Sequence, residues 1–78
     1  MSQPRTSHPR ISITPGVMDG KPCITGTRIP VDLLLDYLAS GSTAAELLQG
    51  YPALREEDIP AVLRFAADHV RTQGFVAV

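Results

Sequence analysis

The spacing of apolar positions changes period once along this chain, near residue 31. Upstream, Ile11 and Ile13 alternate with Arg10, Ser12 and Thr14, the period-two pattern of a short, half-buried strand. Turn dipeptides follow at Pro15-Gly16 and Asp19-Gly20. Residues 22–25 and 27–31 then form two β-type runs either side of Gly26, with Ile24, Thr25, Thr27 and Ile29 as strand formers. Glycine reaches positive φ without a Cβ penalty, so a hairpin reversing at Gly26 is predicted. Pro22 and Pro30 cannot donate to a ladder and belong at strand ends.

Downstream the period becomes helical. Val31, Leu34, Leu35 and Leu38 stand at i, i+3, i+4 and i+7, an apolar stripe on a first helix over residues 31–40 that Gly41 ends. Thr43-Ala-Ala-Glu46 is a capping box. It opens a second helix over 43–50 with Ala44, Leu47, Leu48 and Tyr51 at the same offsets. A third helix over 56–71 starts with acids where its dipole favours them, and its stripe is Ile59, Val62, Leu63, Ala66 and Val70. Pro60 is tolerable only near the first turn. The expected core is Leu34, Leu35, Leu38, Leu47, Leu48, Ile59, Val62, Leu63 and Ala66. The fold class is α+β, mainly α: a short N-terminal β-element followed by a three-helix bundle laid out like a helix-turn-helix. The expected division is a flexible arm over 1–8, one domain over 9–73 and an apolar tail over 74–78.

Composition narrows the function. Seventy-eight residues allow one small domain, which at this size often needs a staple or a partner subunit. A single cysteine forms no internal disulfide and suits a reducing cytoplasm. No apolar run approaches the roughly 20 residues that span a bilayer. No metal-ligand spacing, phosphate loop or nucleophile–base pair appears, so no cofactor is expected and the reading is non-enzymatic. A thiol chemistry at Cys23 lacks a base nearby in sequence. The net charge of −1 hides a split of +3 over residues 1–30 and −4 over residues 31–78. Such a split suits different partners for the two halves.

These blocks together carry a resemblance. Ile11-Ser-Ile-Thr-Pro-Gly16, Gly20-Lys-Pro-Cys-Ile-Thr-Gly-Thr-Arg-Ile-Pro-Val31, Ala39-Ser-Gly41, Glu46-Leu-Leu with Tyr51-Pro-Ala-Leu54, and Glu57-Asp-Ile59 with Ala66-Ala67 resemble the small bacterial family known as domain of unknown function 433. The resemblance implies a homeodomain-like trihelical fold, commonly a homodimer. It also implies an antitoxin of a type II toxin–antitoxin module that neutralises a PIN-like ribonuclease toxin and binds operator DNA. The alternative is a stand-alone helix-turn-helix regulator or structural adaptor without a toxin. Arg55 stands where the family commonly has a capping Thr or Ser, and Pro60 where a non-proline is usual.

Candidate residues follow from the charge split. Arg5, Arg10, Lys21 and Arg28 are the cations available for DNA phosphates, because a third helix opening with Arg55-Glu-Glu-Asp58 sets three carboxylates where base contacts usually arise. An ion pair of Arg28 with Asp32 or Asp36 is the competing structural role. A ribonuclease must present cations to hold RNA, so Glu56, Glu57 and Asp58 are complementary to such a toxin. Phe75, Val76 and Val78 have no periodic place in the core and are expected to dock on the same partner.

Overall fold

The alternation around Ile11 forms a strand, though a brief one. In a computed structural model that describes residues 8–72, β1 (Ile11–Ser12) runs antiparallel to β2 (Cys23–Ile24), with Ile11 opposite Ile24 and Ser12 opposite Cys23. The predicted hairpin about Gly26 is reduced to a turn and a single bridge between Cys23 and Pro30. The turn itself is well bonded. Gly26 has φ 81°, Thr27 N–H donates to the Ile24 carbonyl, and the Thr27 hydroxyl both donates to that carbonyl and accepts from Ile29 N–H. The ladder stops there because prolines at 22 and 30 have no N–H to extend it. The connection from β1 includes a tight turn, Met18–Gly20, in which Met18 and Asp19 both adopt positive φ (49° and 55°). That is an uncommon cost for residues bearing a Cβ.

Three helices follow: α1 (Val31–Ala39), α2 (Ala44–Gly50) and α3 (Asp58–Thr72). Pro30 precedes α1 as its N-cap without a side-chain bond, and the Val31 N–H is satisfied by the Pro22 carbonyl, 2.9 Å away. The β-turn therefore caps the helix. At the other end, Gly41 N–H donates to Leu38 O and Ser42 N–H to Tyr37 O, with Gly41 at φ 100°. These two bonds define a Schellman stop. The capping box of α2 is complete, with Glu46 N–H on Thr43 Oγ1 at 3.1 Å and Thr43 N–H on Glu46 Oε1 at 2.8 Å. Pro60 is accommodated because the start of α3 is tightened. Ile59 N–H reaches back only three residues to the Glu56 carbonyl, the group that a residue at 60 would otherwise engage.

All elements feed one core: Ile11 and Ile24 from the sheet, Val31 and Leu34 from α1, Leu47 from α2, Leu54 from the link to α3, and Ile59 and Val62 from α3. Leu35, Leu38, Leu48 and Phe65 pack against it, half-buried. Leu63 departs from expectation, being 49% exposed. The closest packing of α3 is against α1 and β1, so its buried stripe is narrow, and a residue about 100° round from Val62 falls outside it. Leu34→Ala should therefore cost about 2–5 kcal/mol, whereas Leu63→Ala should stay within about 0.5 kcal/mol of the parent. Urea unfolding of the two variants measures the difference.

Candidate functional site

Of the four cations expected to meet phosphate, Arg10 has an internal task. Its Nε lies 2.6 Å from Asp58 Oδ1 and its Nη2 3.2 Å from Asp58 Oδ2, a two-pronged ion pair joining residues 48 positions apart. Asp58 Oδ2 also accepts the Arg55 N–H at 2.9 Å. Asp58 thus reaches back to the backbone of the residue three before it and closes the turn that leads into α3. Its side chain is 0% exposed. Asp58 is accordingly removed from the acidic surface assigned to it from sequence, and Arg10 from the freely available cations.

The chemistry of this carboxylate follows from its partners. Burial is the largest influence and disfavours ionisation, but the Arg10 hydrogen bonds, the Arg55 N–H and the charges of both arginines together outweigh it. The net effect holds the Asp58 carboxyl below its ordinary value of 3.8. Cys23 is buried with its Sγ 3.4 Å from the Lys21 carbonyl. Burial first, then the charge of Asp32, raises its thiol above 9.0, so the nucleophilic thiolate is disfavoured. Among the described residues no group of three His, Cys, Asp or Glu is placed to hold a metal.

The remaining candidates are distributed over two surfaces. Lys21 and Arg28 are exposed on the β-side, and Lys21 Nζ is 3.5 Å from Asp32, a solvent-screened pair of small energetic weight. Arg28 pairs with neither Asp32 nor Asp36. Together with Ser12, Thr14 and Thr27 it lines a shallow polar concavity. Glu56 and Glu57 are exposed in the turn just before α3. The outer face of that helix continues through Pro60, Leu63, Arg64 and Ala67, which line a shallow depression. Leu63 on this face was assigned to the core by periodicity alone. Arg5, Phe75, Val76 and Val78 lie outside the described residues.

Sequence reading also missed His8. Placed in the arm, it stands edge-on to Phe65 (centroids 5.5 Å apart, planes at 82°) and its Nε2 is 3.0 Å from Asp68. The Thr25 hydroxyl meanwhile donates to the Pro9 carbonyl at 3.0 Å. The segment leading into β1 is thereby fastened to both α3 and the β-turn. No signal within a few residues of His8 marks this, because its partners are distant in sequence.

Fold and site together define a small α+β domain of a two-stranded sheet and three helices, closed by a buried Arg–Asp pair. Residues 11–66 match the family described as "Protein of unknown function (DUF433)", and the chain belongs to that family. A crystal structure of a DUF433 member protein from Anabaena variabilis is similar, with 40% sequence identity and a TM-score of 0.75. The match covers 81% of this chain and 62% of that one, so this chain spans less than two thirds of that protein's length. No match is found among curated proteins. No helix among the described residues is long and apolar enough to cross a membrane.

The Arg10–Asp58 pair generates a prediction with a defined sign. Asp58 has a lowered value in the fold, so its stabilisation is full above the unfolded value and is lost as pH falls through the folded one. Unfolding free energy should fall on acidification below about pH 5, and less steeply in Asp58→Asn, measured by urea unfolding across pH. Arg10→Ala leaves a buried carboxylate without its partner and should cost about 3 kcal/mol, the low end for a broken buried pair because Arg10 keeps some solvent access.

Proposed function

We propose that this chain is a cytoplasmic protein-binding module, the antitoxin of a type II toxin–antitoxin pair, and that it neutralises a PIN-like ribonuclease through the outer face of α3. The observation that carries this reading is the composition of that face. Leu63, a large apolar side chain, is 49% exposed, and Glu56, Glu57, Pro60, Arg64 and Ala67 on the same side of the helix are also exposed. An accessible apolar anchor within a charged rim is the usual anatomy of a protein-binding patch. Glu56 and Glu57 favour a cationic partner and repel phosphates, which argues against insertion of α3 into a major groove. With Asp58 internal, the acidic part of the patch is Glu56 and Glu57.

Operator binding, alone or beside neutralisation, is the second reading, and exposed Lys21 and Arg28 are what favour it. The number of cations is small, so affinity should be weak, with a salt slope of about 0.9 per phosphate neutralised. The homodimer expected from the short strands belongs to the same proposal, and light scattering of the isolated chain checks it.

The test of neutralisation is binding to the product of the adjacent gene, co-expressed and measured by calorimetry. Leu63→Asp combined with Glu56→Lys should weaken binding by about 30-fold or more, a hot-spot loss of at least about 2 kcal/mol. The same variant should fail to rescue growth, while its helical signal stays intact. Equal binding by that variant would overturn the assigned face, and an adjacent product that is neither toxic nor bound would overturn the antitoxin reading. For DNA, Lys21→Ala with Arg28→Ala should weaken binding to all sequences alike.

A further inference from the structure

Residues 31–54, which supply α1, α2 and the links after them, carry Asp32, Asp36 and Glu46 and no lysine, arginine or histidine. Among the described residues only Asp32 has a cationic partner, the exposed and screened Lys21. Asp36 and Glu46 have none within ion-pair distance. Glu46 is the better fixed of the two, because the capping box holds its side chain. Its Oε1 accepts from the Thr43 N–H at 2.8 Å and from the Thr43 hydroxyl at 3.2 Å, while its Oε2 accepts from no described residue. A positioned carboxylate therefore keeps one oxygen open on a helix pair of a single sign.

Glu46 borders a concavity of about 400 Å³ at the junction of α1 and α2, which Tyr37, Ser42, Leu47, Gly50 and Tyr51 also line. Tyr51 belongs to the stripe of α2 and packs against the core. Tyr37 belongs to no apolar stripe and is 41% exposed, so core packing does not account for it. The two ring centroids are 6.4 Å apart, with the planes inclined at 58°. A cation seated between such rings can lie within about 6 Å of both centroids, the range over which the ring quadrupole attracts it. The concavity also adjoins the C-terminal ends of α1 (Tyr37, Ser42) and α2 (Gly50, Tyr51), where helix dipoles favour positive charge. Carboxylate, rings and helix ends all call for a cation, and residues 31–54 supply none.

We infer that the concavity between Tyr37, Glu46 and Tyr51 is a receptor for one arginine side chain of a partner protein. A guanidinium is planar, stacks on aromatic faces and is more weakly hydrated than an ammonium. Its several N–H donors match the open Glu46 Oε2 and the Ser42 hydroxyl, which makes no bond of its own among the described residues. The inference goes beyond the toxin reading and does not depend on it, since it uses α1 and α2 and no residue of α3.

The test is a titration of the isotope-labelled full chain with the blocked peptide acetyl-Gly-Arg-Gly-amide, followed by nuclear magnetic resonance. Shifts should be confined to Tyr37, Ser42, Glu46, Gly50 and Tyr51 and saturate with a Kd on the order of 10 mM. Glu46→Gln, which keeps the capping bonds, and Tyr37→Leu should each weaken binding by at least about threefold. The citrulline analogue, similar in shape but uncharged, should leave the spectrum unmoved. Nuclear Overhauser contacts between the peptide's arginine and the Tyr37 ring of the parent chain decide the matter if a variant unfolds. Shifts that are absent up to about 50 mM, several times that constant, that fall elsewhere, or that survive both substitutions would overturn the proposal. A lysine peptide bound equally tightly would reduce the site to general charge attraction. Tetramethylammonium bound more tightly than the arginine peptide would assign it to a small methylated cation, and either result also overturns it.

Discussion

A single carboxylate with three donors ties the ends of this molecule together. Asp58 lies at the start of α3 and receives two bonds from Arg10, just before β1, and one from the Arg55 backbone. A fully buried charge is tolerable only when its lone pairs are filled, and here both oxygens are engaged. The pair therefore specifies position more than it adds net stability. It sets the register of the β-element against α3, and so turns the Ile59 and Val62 face of α3 toward Ile11 and Leu34. The contacts of His8 with Phe65 and Asp68 reinforce the same join further along the helix.

Once that register is set, α3 has two distinct unpaired aspects. One, lined by Pro60, Leu63, Arg64, Ala67 and Asp68, is mixed in character; the other, toward α1, is lined by Leu35, Phe65, Ala66 and Val70 and is apolar. A short sheet with only two residues per strand covers little of the length of a 15-residue helix. Both surfaces follow from this mismatch in length, which leaves a helix longer than the core it closes.

What was legible in the sequence was local. The Thr43–Glu46 box and the Gly41 stop are governed by residues within five positions of one another, and each formed at its place, as did the three helices. Lys21, Arg28, Glu56 and Glu57 are on the surface as their chemistry suggests. Partnerships across the chain were hidden. Arg10 and Asp58 each look like an ordinary surface charge in their own neighbourhoods, and only the folded chain makes them one unit. β2 also had two candidate partners, and Pro30 in the nearer one left the distant β1 to form the ladder. Leu63 and Val62 are adjacent and equally apolar, so periodicity could not say which the neighbouring helices would cover.

The β-element depends on the last helix, and this has a consequence for biosynthesis. Its inner residues, Ile11 and Ile24, are completely buried in a core that α3 helps to close, and a two-stranded ribbon alone is marginal in water. Translation delivers the strands first and the covering helix last, at about 5–20 residues per second. The amino-terminal half of each nascent chain therefore waits, with its isoleucines in water, until residues 58–62 have emerged. Substitutions that delay or weaken α3 would then act on newly made molecules, through proteolysis and aggregation, before they affect any that have already folded.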